Sequence, residues 1–278
     1  MPKSIDLVDQ LPKMSPLMTQ LLARLSSINV SVGQLAEITE RDAALSAQVL
    51  RMANSAAFAR LEPVTSVRHA ISLVGTGVLR KFVMATSLVN LFKRYKVSRL
   101  FSITRFNLHS VATATMLEIL SEEIPLENSN QAFVTGLLHD VGELLIAINC
   151  PKEHEDILAL GAVTGQSQIE CERRVLGLDH AELSAMAIER WKLPESVQEA
   201  VRKHHETSEP DGSGQVKLSD AVHQIDDCMN FLGMSILPPT VSDGSGPKPL
   251  EFPGIKFSNE RVMKRFEDEW LQLGELLK

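Results

Sequence analysis

Cysteine is scarce in this sequence, and its scarcity restricts the kind of protein that the chain can be. The 278 residues include three cysteines, Cys150, Cys171 and Cys228, and no two of them form a C-x-x-C pair. So small and odd a number argues against a disulfide framework and indicates a reducing compartment. We therefore expect all three to be small hydrophobic residues that are buried or half-buried.

Long apolar runs and an excess of basic charge are also missing. No stretch reaches the roughly 18 uncharged apolar residues that cross a bilayer, and the N-terminus has no apolar run of signal-peptide length. The 28 Lys and Arg residues are outnumbered by 35 Asp and Glu residues, which gives a net charge of −7. This balance argues against a broad nucleic-acid footprint and against adsorption to anionic lipid. We expect a cytoplasmic protein with no nucleic-acid partner and no membrane insertion.

Aromatic residues make up only 5% of the chain, and alternating β-branched runs are short, so strand signals are weak. Apolar residues instead recur three or four positions apart, which is the spacing of one helix face. Such stripes are found at Leu17, Leu21, Leu25 and Ile28, at Leu45, Val49 and Met52, at Leu218, Val222, Ile225 and Met229, and at Val262, Phe266, Trp270 and Leu273. Asp42 is placed to cap the second of these helices, and Ser258 the last. Helices joined by short turns predict an all-α fold.

Breaks in the helical pattern divide the chain into three parts. A short break at residues 96–98 predicts an N-terminal helical sub-bundle over residues 1–100 and a second helical sub-bundle over residues 101–235. The stretch 237–257 holds most of the remaining prolines and glycines, so residues 236–278 are predicted to be a loop and a C-terminal helix. The apolar stripe of this helix needs a surface to pack on, either the chain's own core or a partner protein.

Seven residues of the second sub-bundle are candidates for chemistry. They are His109, His139, Asp140, His180, His204, His205 and Asp226. His109 lies on the apolar face of its helix. The pair His139-Asp140 interrupts the apolar run GLLHDVGELL, where a charged side chain is costly to bury unless it is paired or bound to metal. Imidazole and carboxylate groups together suit Fe, Mn, Zn or Mg, and such a site activates a bound water and polarises a phosphoryl oxygen.

Taken one at a time, these residues also have ordinary explanations, which the sequence leaves open. His109 is compatible with a hydrogen-bonded core histidine, and His180 with simple solvent exposure at a helix start. The pair His204-His205 suits the C-terminal end of a helix, where the macrodipole favours cations. Asp226 is followed by a second aspartate, as in a surface acidic pair. The order of the seven residues along the chain is what favours a shared site.

That order resembles a known family of metal sites. A first histidine, a His-Asp pair and a final aspartate are the ligand order of the HD superfamily of metal-dependent phosphohydrolases, and the full set of seven is similar to that of the HD-GYP cyclic-dinucleotide phosphodiesterases. Longer motifs resemble the HDOD (HD-related output domain) family over roughly residues 7–235: LPKMSPL, RDAALSAQVLRMANSAAF, SVRHAISLVGTGVLRKFVM and GLDHAELSAMAIERWKLPESVQEAVRKHH. The resemblance implies a helical bundle of the HD-domain type with an N-terminal sub-bundle. It implies that the seven residues are metal ligands, with or without a bound divalent ion (Fe, Mn, Mg or Zn).

Three departures from the HD-GYP pattern bear on activity. Glu143 stands where those enzymes have a lysine, the G-Y-P tripeptide is absent, and Arg105 stands one turn before His109, where an acidic or polar ligand is expected. A cation that would orient and neutralise a phosphate is therefore missing. Glu143, one turn from His139, can face the same pocket and repel phosphate, or it can turn to solvent or to a base such as Arg105.

The resemblance to HDOD proteins implies a bacterial signal-transduction output module that is non-hydrolytic and acts through signalling-protein partners in regulation. The alternative is a metal-dependent phosphohydrolase or phosphodiesterase that acts on a nucleotide or cyclic dinucleotide, so a nucleotide ligand stays open. The sequence assigns no catalytic residue and no organic cofactor. We favour the output module, because the departures at Glu143 and Arg105 remove parts that hydrolysis needs.

Overall fold

A computed structural model describes five stretches of the chain, residues 31–55, 62–93, 95–209, 212–236 and 248–274. Helices dominate these stretches, and no strand occurs within them. One isolated parallel bridge, between Leu126 and Val216, is the nearest approach to sheet pairing there. The predicted all-α fold is therefore confirmed. The predicted helix with the stripe from Leu17 to Ile28 lies outside the described residues.

The helices of the described residues are numbered here in chain order. They are α1 (Val32–Glu40), α2 (Ala43–Ala53), α3 (Val67–Val74), α4 (Thr76–Phe92), α5 (Ile103–Glu123), α6 (Ala132–Leu138), α7 (Val141–Asn149), α8 (Pro151–Thr164), α9 (Gln168–Leu176), α10 (His180–Arg190), α11 (Glu195–Arg202), α12 (Leu218–Met229) and α13 (Asn259–Gly274). A 3-10 turn, Ser129–Gln131, precedes α6, and a short π-helical stretch, Asn230–Met234, follows α12.

Polar side chains begin two of these helices at the positions that the sequence predicts. The carboxylate of Asp42 accepts hydrogen bonds from the backbone N–H groups of Ala44 and Leu45 at 2.8 and 3.0 Å, and so satisfies donors that the first turn of α2 leaves open. The hydroxyl of Ser258 accepts a hydrogen bond from the backbone N–H of Arg261 at 3.2 Å, at the start of α13. The predicted caps of α2 and α13 are both confirmed.

The hydrophobic core runs across the division that the sequence predicts at residue 100. Buried side chains of α1 to α4 form one cluster with buried side chains of α6, α7 and α10. Phe92, in the last turn of α4, packs against Trp191, just after α10, with ring centroids 6.5 Å apart. The three cysteines are buried without forming a disulfide, as the sequence predicts. The two sub-bundles therefore share a core, and the boundary itself stays a prediction.

The C-terminal helix α13 packs on the chain's own helices. Its apolar side chains Val262 and Phe266 are buried in a second cluster with side chains of α5 and α12. Its basic side chain Arg265 pairs with Glu122 at 2.7 Å and with Glu123 at 3.0 Å, at the end of α5. The apolar stripe of α13 is therefore covered by the same chain.

One run of the described chain is long and apolar enough to cross a bilayer, judged by length and composition. It covers Ser129–Asn149, and 89% of its most apolar window is buried inside the protein. A second candidate exists only if α3 and α4 are taken together, and these two helices meet at a bend of 118°. Buried core helices pass the same test, so this finding is weak evidence for a membrane span.

Two glycines let the helices that carry the candidate site approach one another closely. A Cβ atom at Gly136 of α6 would lie 2.6 Å from the Ala114 Cα atom of α5. Gly142 of α7 lies against α10, where its backbone N–H donates to the Ser184 hydroxyl at 2.7 Å. Because glycine has no Cβ atom, it allows backbone contacts that any larger residue would push apart. These contacts bring α5, α6, α7 and α10 around one point.

Candidate metal centre

The structure brings the seven predicted site residues together from five parts of the fold. His109 lies on α5, His139-Asp140 forms the turn between α6 and α7, His180 begins α10, His204-His205 follows α11, and Asp226 lies on α12. All have an exposure of 5% or less except His205, which is partly exposed. The surface explanations for His180 and Asp226 are therefore wrong.

Four of these residues form a first cluster, which we call site one: His109, His139, Asp140 and Asp226. The His109 Nε2 atom lies 3.2 Å from His139 Nε2 and 3.2 Å from Asp140 Oδ2. It lies 3.1 Å from Asp226 Oδ1, which also accepts a hydrogen bond from the Asn230 amide at 3.0 Å. The four ligand atoms all lie within 4.8 Å of one another, so they can surround a single ion.

A second cluster, which we call site two, adjoins the first: Asp140, His180, His204 and His205. The Asp140 Oδ1 atom lies 3.2 Å from His204 Nε2 and 3.4 Å from His180 Nε2. The Nε2 atoms of His180 and His205 are 2.8 Å apart. Asp140 therefore presents Oδ2 to site one and Oδ1 to site two. If each cluster held a divalent ion, the two ions would share the carboxylate of Asp140.

Three buried histidines are held at the ring nitrogen that faces away from the centre. Their Nδ1 atoms donate to backbone carbonyl oxygens, His109 to Met234 at 3.0 Å, His139 to Gly136 at 2.8 Å, and His204 to Val201 at 2.6 Å. Because a carbonyl oxygen only accepts, Nδ1 must carry the proton, and in the neutral ring Nε2 then has a free lone pair. Metal-bound histidines are typically oriented by such second hydrogen bonds.

His180 is held by a carboxylate instead of a carbonyl. The Glu172 Oε2 atom accepts hydrogen bonds from the ring Nδ1 and from the backbone N–H of His180, both at 2.8 Å. Glu172 is buried, and its Oε1 atom accepts a hydrogen bond from the Gln168 amide at 2.9 Å. Sequence reasoning missed both residues. They lie in a polar stretch of α9, and no periodic pattern connects that stretch with the site.

Glu143 is buried beside the centre. Its Oε1 atom accepts a hydrogen bond from Gln168 at 2.8 Å, and its Oε2 atom has no hydrogen-bond partner in the described part of the chain. Burial, and then the charge of Asp140, raises the pKa of Glu143 to about 8. Arg105 donates elsewhere, to the carbonyl of Ser235 at 2.9 Å. The alternatives in which Glu143 turns to solvent or to Arg105 are therefore wrong.

Protons are distributed unevenly over the centre. Burial opposes charge on His109 and His139, but hydrogen bonds and attraction from Asp140 and Asp226 prevail, and raise the pKa of His109 to about 10 and that of His139 to about 9. Against burial, the histidines hold the pKa values of Asp140 and Asp226 well below their usual range. At His204 burial prevails and lowers the pKa. Both carboxylates are therefore charged near neutral pH, and His204 is neutral.

The donor atoms fit a divalent cation. Asp140 Oδ1 and His204 Nε2 are buried 3.2 Å apart, and neither has a hydrogen-bond partner among the residues that the structure describes. The ionised carboxylate and the neutral imidazole both offer lone pairs there, and leaving such groups buried without a partner is costly. An ion between them would satisfy both. Clustered imidazoles and carboxylates suit Fe, Mn or Zn, with harder ions preferring the oxygens.

Comparison with known proteins identifies the family. The model of the HDOD domain matches residues 11–207, more than half of the chain, and the chain therefore belongs to the HDOD domain family. Six of the seven site residues lie inside the matched range, and Asp226 lies beyond it. A curated relative, an uncharacterized protein of Treponema pallidum, is 22% identical over a match of 208 residues that covers 72% of this chain. The chain matches 38% of the length of that relative.

Three solved bacterial structures share the fold. An HDOD domain protein with unknown function from Geobacter sulfurreducens has a TM-score of 0.75 and 22% identity, over 97% of this chain and 93% of that chain. A Shewanella amazonensis protein named "Putative phosphohydrolase" has a TM-score of 0.70 and 21% identity, over 99% of this chain and 98% of that chain. A Marinobacter aquaeolei protein named "Putative signal transduction protein" has a TM-score of 0.71 and 18% identity, over 100% of this chain and 60% of that chain. At such identities the similarity shows the fold alone.

Proposed function

We propose that this chain is a bacterial signal-transduction output module that holds divalent metal ions without hydrolysing phosphoesters and acts through signalling-protein partners. Membership of the HDOD domain family supports the output role. The net charge of −7 and the three buried free cysteines support a cytoplasmic place of action and partners other than nucleic acids. The observation that carries the non-hydrolytic part is a buried carboxyl, Glu143, at the position where the HD-GYP enzymes have a lysine.

The seven residues of sites one and two would hold the ions through imidazole Nε2 atoms and carboxylate oxygens. When bound, divalent ions supply Lewis acidity and lower the pKa of bound water. The protein's own part in a phosphoester hydrolysis would be to place a cationic donor against the phosphate. In the HD-GYP enzymes that this chain resembles, the lysine after the His-Asp pair is suited to that part.

Glu143 stands at the position of that lysine and cannot replace it. Its Oε1 atom is held by Gln168 at 2.8 Å, and a pKa of about 8 keeps most of the carboxyl protonated at pH 7. A neutral carboxyl repels phosphate less than the sequence suggests, so the missing cation is the larger loss. One lost donor to a developing negative charge costs about a hundredfold to a thousandfold in rate.

A metal-dependent phosphohydrolase or phosphodiesterase is the second candidate, with a nucleotide or cyclic dinucleotide as substrate. One observation favours it. Asp140 faces site one with one oxygen and site two with the other, as in the two-metal sites that hydrolyse phosphoesters. This arrangement explains metal binding equally well without turnover, whereas the carboxyl at Glu143 is difficult to reconcile with efficient hydrolysis.

Metal analysis and an activity assay on the same preparation separate the two functions. We expect bound Fe, Mn or Zn and no turnover of linear or cyclic dinucleotides or of phosphomonoesters, with Mn and Fe supplied. Turnover near ten per second, which is about the rate of an ordinary enzyme, would contradict the proposal. Glu143→Lys and Glu143→Gln are matched variants, and a gain of activity in Glu143→Lys alone would support the missing-cation explanation.

The partner part of the proposal needs a separate test. The wild-type chain and the variant Asp140→Ala are expressed in the source bacterium with the same affinity label, and proteins cross-linked to each are identified by mass spectrometry. We expect a signalling protein to be recovered with the wild-type chain. Recovery of no signalling protein with the wild-type chain would contradict the proposal.

A further inference from the structure

Arg105 lies one helical turn before His109 on α5, so the two side chains project from the same face of that helix. The Arg105 Nε–H group donates to the carbonyl oxygens of Ser235 at 2.9 Å and of Ile236 at 3.1 Å. These carbonyls directly follow that of Met234, which accepts the hydrogen bond from His109 Nδ1 at 3.0 Å. Two side chains of one turn of α5 therefore hold three consecutive carbonyl groups.

The segment that carries these carbonyls leaves the regular helix at this point. After α12 the chain enters the π-helical stretch Asn230–Met234, in which Gly233 has a φ angle of 77°. This is left-handed backbone, which glycine adopts without the steric cost that a Cβ atom brings. Carbonyl groups at such an end have lost their partners within the helix and need others. Here α5 supplies those partners through Arg105 and His109.

We propose that Arg105 is a positioning residue for site one, acting through the Met234 carbonyl on the ring of His109. The proposal rests on the metal-binding part of the proposed function. While the Met234 carbonyl is fixed, His109 Nδ1 keeps its proton, and Nε2 points at the other three ligand atoms of site one. Loss of the two bonds from Arg105 lets the carbonyl move away, and the ring then loses the partner that sets its rotation.

The proposal also explains why this chain departs from the HD-GYP pattern at position 105. Site one already contains the two carboxylates Asp140 and Asp226, both close to His109 Nε2. A third acid one turn before His109 would add another negative charge to the same small volume. Arg105 instead contacts the backbone behind His109 and so supports a ligand without being one.

Two substitutions separate the hydrogen bonds of Arg105 from its length and its charge. Arg105→Met keeps the length of the side chain and removes the donor. Arg105→Gln places an amide nitrogen at about the position of the arginine Nε atom, so the donor is kept and the charge is lost. Arg99→Met is the control, because the Arg99 side chain is 79% exposed and pairs with Glu155 at the surface.

Calorimetric titration with Zn²⁺ measures both sites in the full chain. We expect Arg105→Met to lower the affinity for one of the two Zn²⁺ ions by about tenfold to a hundredfold, which is the usual cost of losing an outer-shell partner. The affinity for the other ion should be unchanged. Arg105→Gln and Arg99→Met are expected to bind both ions as the wild type does. A second readout, NMR on ¹⁵N-histidine-labelled metal-free protein, follows the exchange of the His109 Nδ1–H proton with water, which Arg105→Met should accelerate at least about tenfold.

Equal Zn²⁺ affinity and equal proton exchange in Arg105→Met and wild type would overturn the proposal. A loss that Arg105→Gln does not rescue would also overturn it, because the charge and not the donor would then be responsible. So would a lower melting temperature with both ions still bound at wild-type affinity, which is what a merely structural role predicts. If the wild type binds no Zn²⁺, the proposed metal centre fails, and the exchange of the His109 proton alone decides whether Arg105 positions that ring.

Discussion

Gly142 of α7 lies so close to His180 of α10 that a Cβ atom at position 142 would stand 2.1 Å from the His180 carbonyl oxygen. The Ser184 hydroxyl, which accepts the Gly142 N–H at 2.7 Å, would lie 2.8 Å from the same atom. Asp140 precedes Gly142 by two residues, and His180 is a candidate ligand of site two. The close approach of α7 to α10 therefore also sets the distance between Asp140 and His180.

Gly142→Ala is expected to push α7 away from α10 and to weaken metal binding at site two. Overpacking of this kind costs about 1–3 kcal/mol of unfolding free energy. Gly77→Ala in α4 is the matched control, because a Cβ atom at Gly77 meets nothing within 4 Å and alanine favours a helix by up to about 1 kcal/mol. Urea unfolding and Zn²⁺ titration measure both effects. Equal stability of the two variants would contradict the steric argument.

Helix faces and caps can be predicted from this sequence because they depend on neighbouring residues. The stripe of Leu45, Val49 and Met52 and the cap Asp42 fall within eleven consecutive residues, and the structure has both. The seven site residues can be named for a different reason. A fixed order of His and Asp along the chain predicts a ligand set before anything is known of how the helices pack.

The residues that support the ligands cannot be found in the same way. Glu172 holds His180 from α9, and Gln168 joins Glu172 to Glu143 on another helix, so these contacts depend on how α7, α9 and α10 pack. The partner of His109 is the carbonyl of Met234, a group that every residue carries. No side-chain pattern distinguishes that carbonyl from its neighbours. Tertiary packing, and not local sequence, decides which groups hold His180 and His109.

Removal of single ligands is expected to empty the two sites separately or together. Asp140 belongs to both clusters, so Asp140→Ala should bind neither ion tightly. His139→Ala should lose the ion of site one, and His204→Ala the ion of site two. Each loss should exceed the tenfold to hundredfold typical of outer-shell residues. Elemental analysis after gel filtration counts the ions, and circular dichroism checks that the variants stay folded. An identical loss in all three variants would contradict two separate sites.

Metal binding at site one is expected to strengthen as pH rises. In the metal-free protein His109 and His139 are protonated at pH 7, because their pKa values are raised to about 10 and about 9. An ion needs unprotonated Nε2 atoms, so binding releases these protons. Over the pH range in which binding displaces two protons, the metal affinity of site one should rise by up to about a hundredfold per pH unit.

Calorimetry between pH 6 and 8 in two buffers of different ionisation enthalpy counts the released protons. The pKa values of His204 and His205 are lowered, mainly by burial, and that of His180 is raised against burial by Glu172 and Asp140. Site two should therefore release about one proton, fewer than site one. Affinities that do not change with pH at either site would contradict this account.

Glu143→Gln is expected to stabilise the metal-free protein as pH rises. The folded pKa of Glu143 is raised from 4.5 to about 8, so the proton that the folded state keeps is lost more readily by the unfolded chain. The protonated Glu143 therefore makes its full contribution to the unfolding free energy of the wild type below pH 4.5. That contribution is lost as pH rises toward 8, by up to about 1.4 kcal/mol per pH unit. Glutamine keeps the hydrogen bond from Gln168 and has no such proton.

The difference in unfolding free energy between Glu143→Gln and wild type is measured by urea titration at pH 5 and at pH 8, with a chelator present. We expect a small difference at pH 5 and a clear gain for Glu143→Gln at pH 8. A difference that shrinks between pH 5 and pH 8 would mean that the carboxyl of Glu143 is ionised in the folded protein. The raised pKa of Glu143 would then be wrong, whereas the absence of a cation at this position would be unaffected.

Glu118 joins α5, the helix that carries His109, to α4. Its carboxylate pairs with Arg80 and, at 3.0 Å, with Lys81, both on α4, and all three side chains are buried. Lys81 also pairs with Glu269 of α13. Glu118→Ala would leave the charges of Arg80 and Lys81 inside the protein while removing the carboxylate that faces both. Removing one partner of a buried ion pair costs about 3–5 kcal/mol.

Glu199→Ala is the matched control for Glu118→Ala, because the Glu199 side chain is 56% exposed and pairs with Lys203 at the surface of α11. An exposed pair of this kind contributes little to stability, because water screens it. The double variant Arg80→Leu/Glu118→Leu should be more stable than Glu118→Ala, because no arginine charge is then left without the carboxylate. Urea unfolding compares the three. Equal losses for Glu118→Ala and Glu199→Ala would show that the buried carboxylate of Glu118 does not hold α4 on α5.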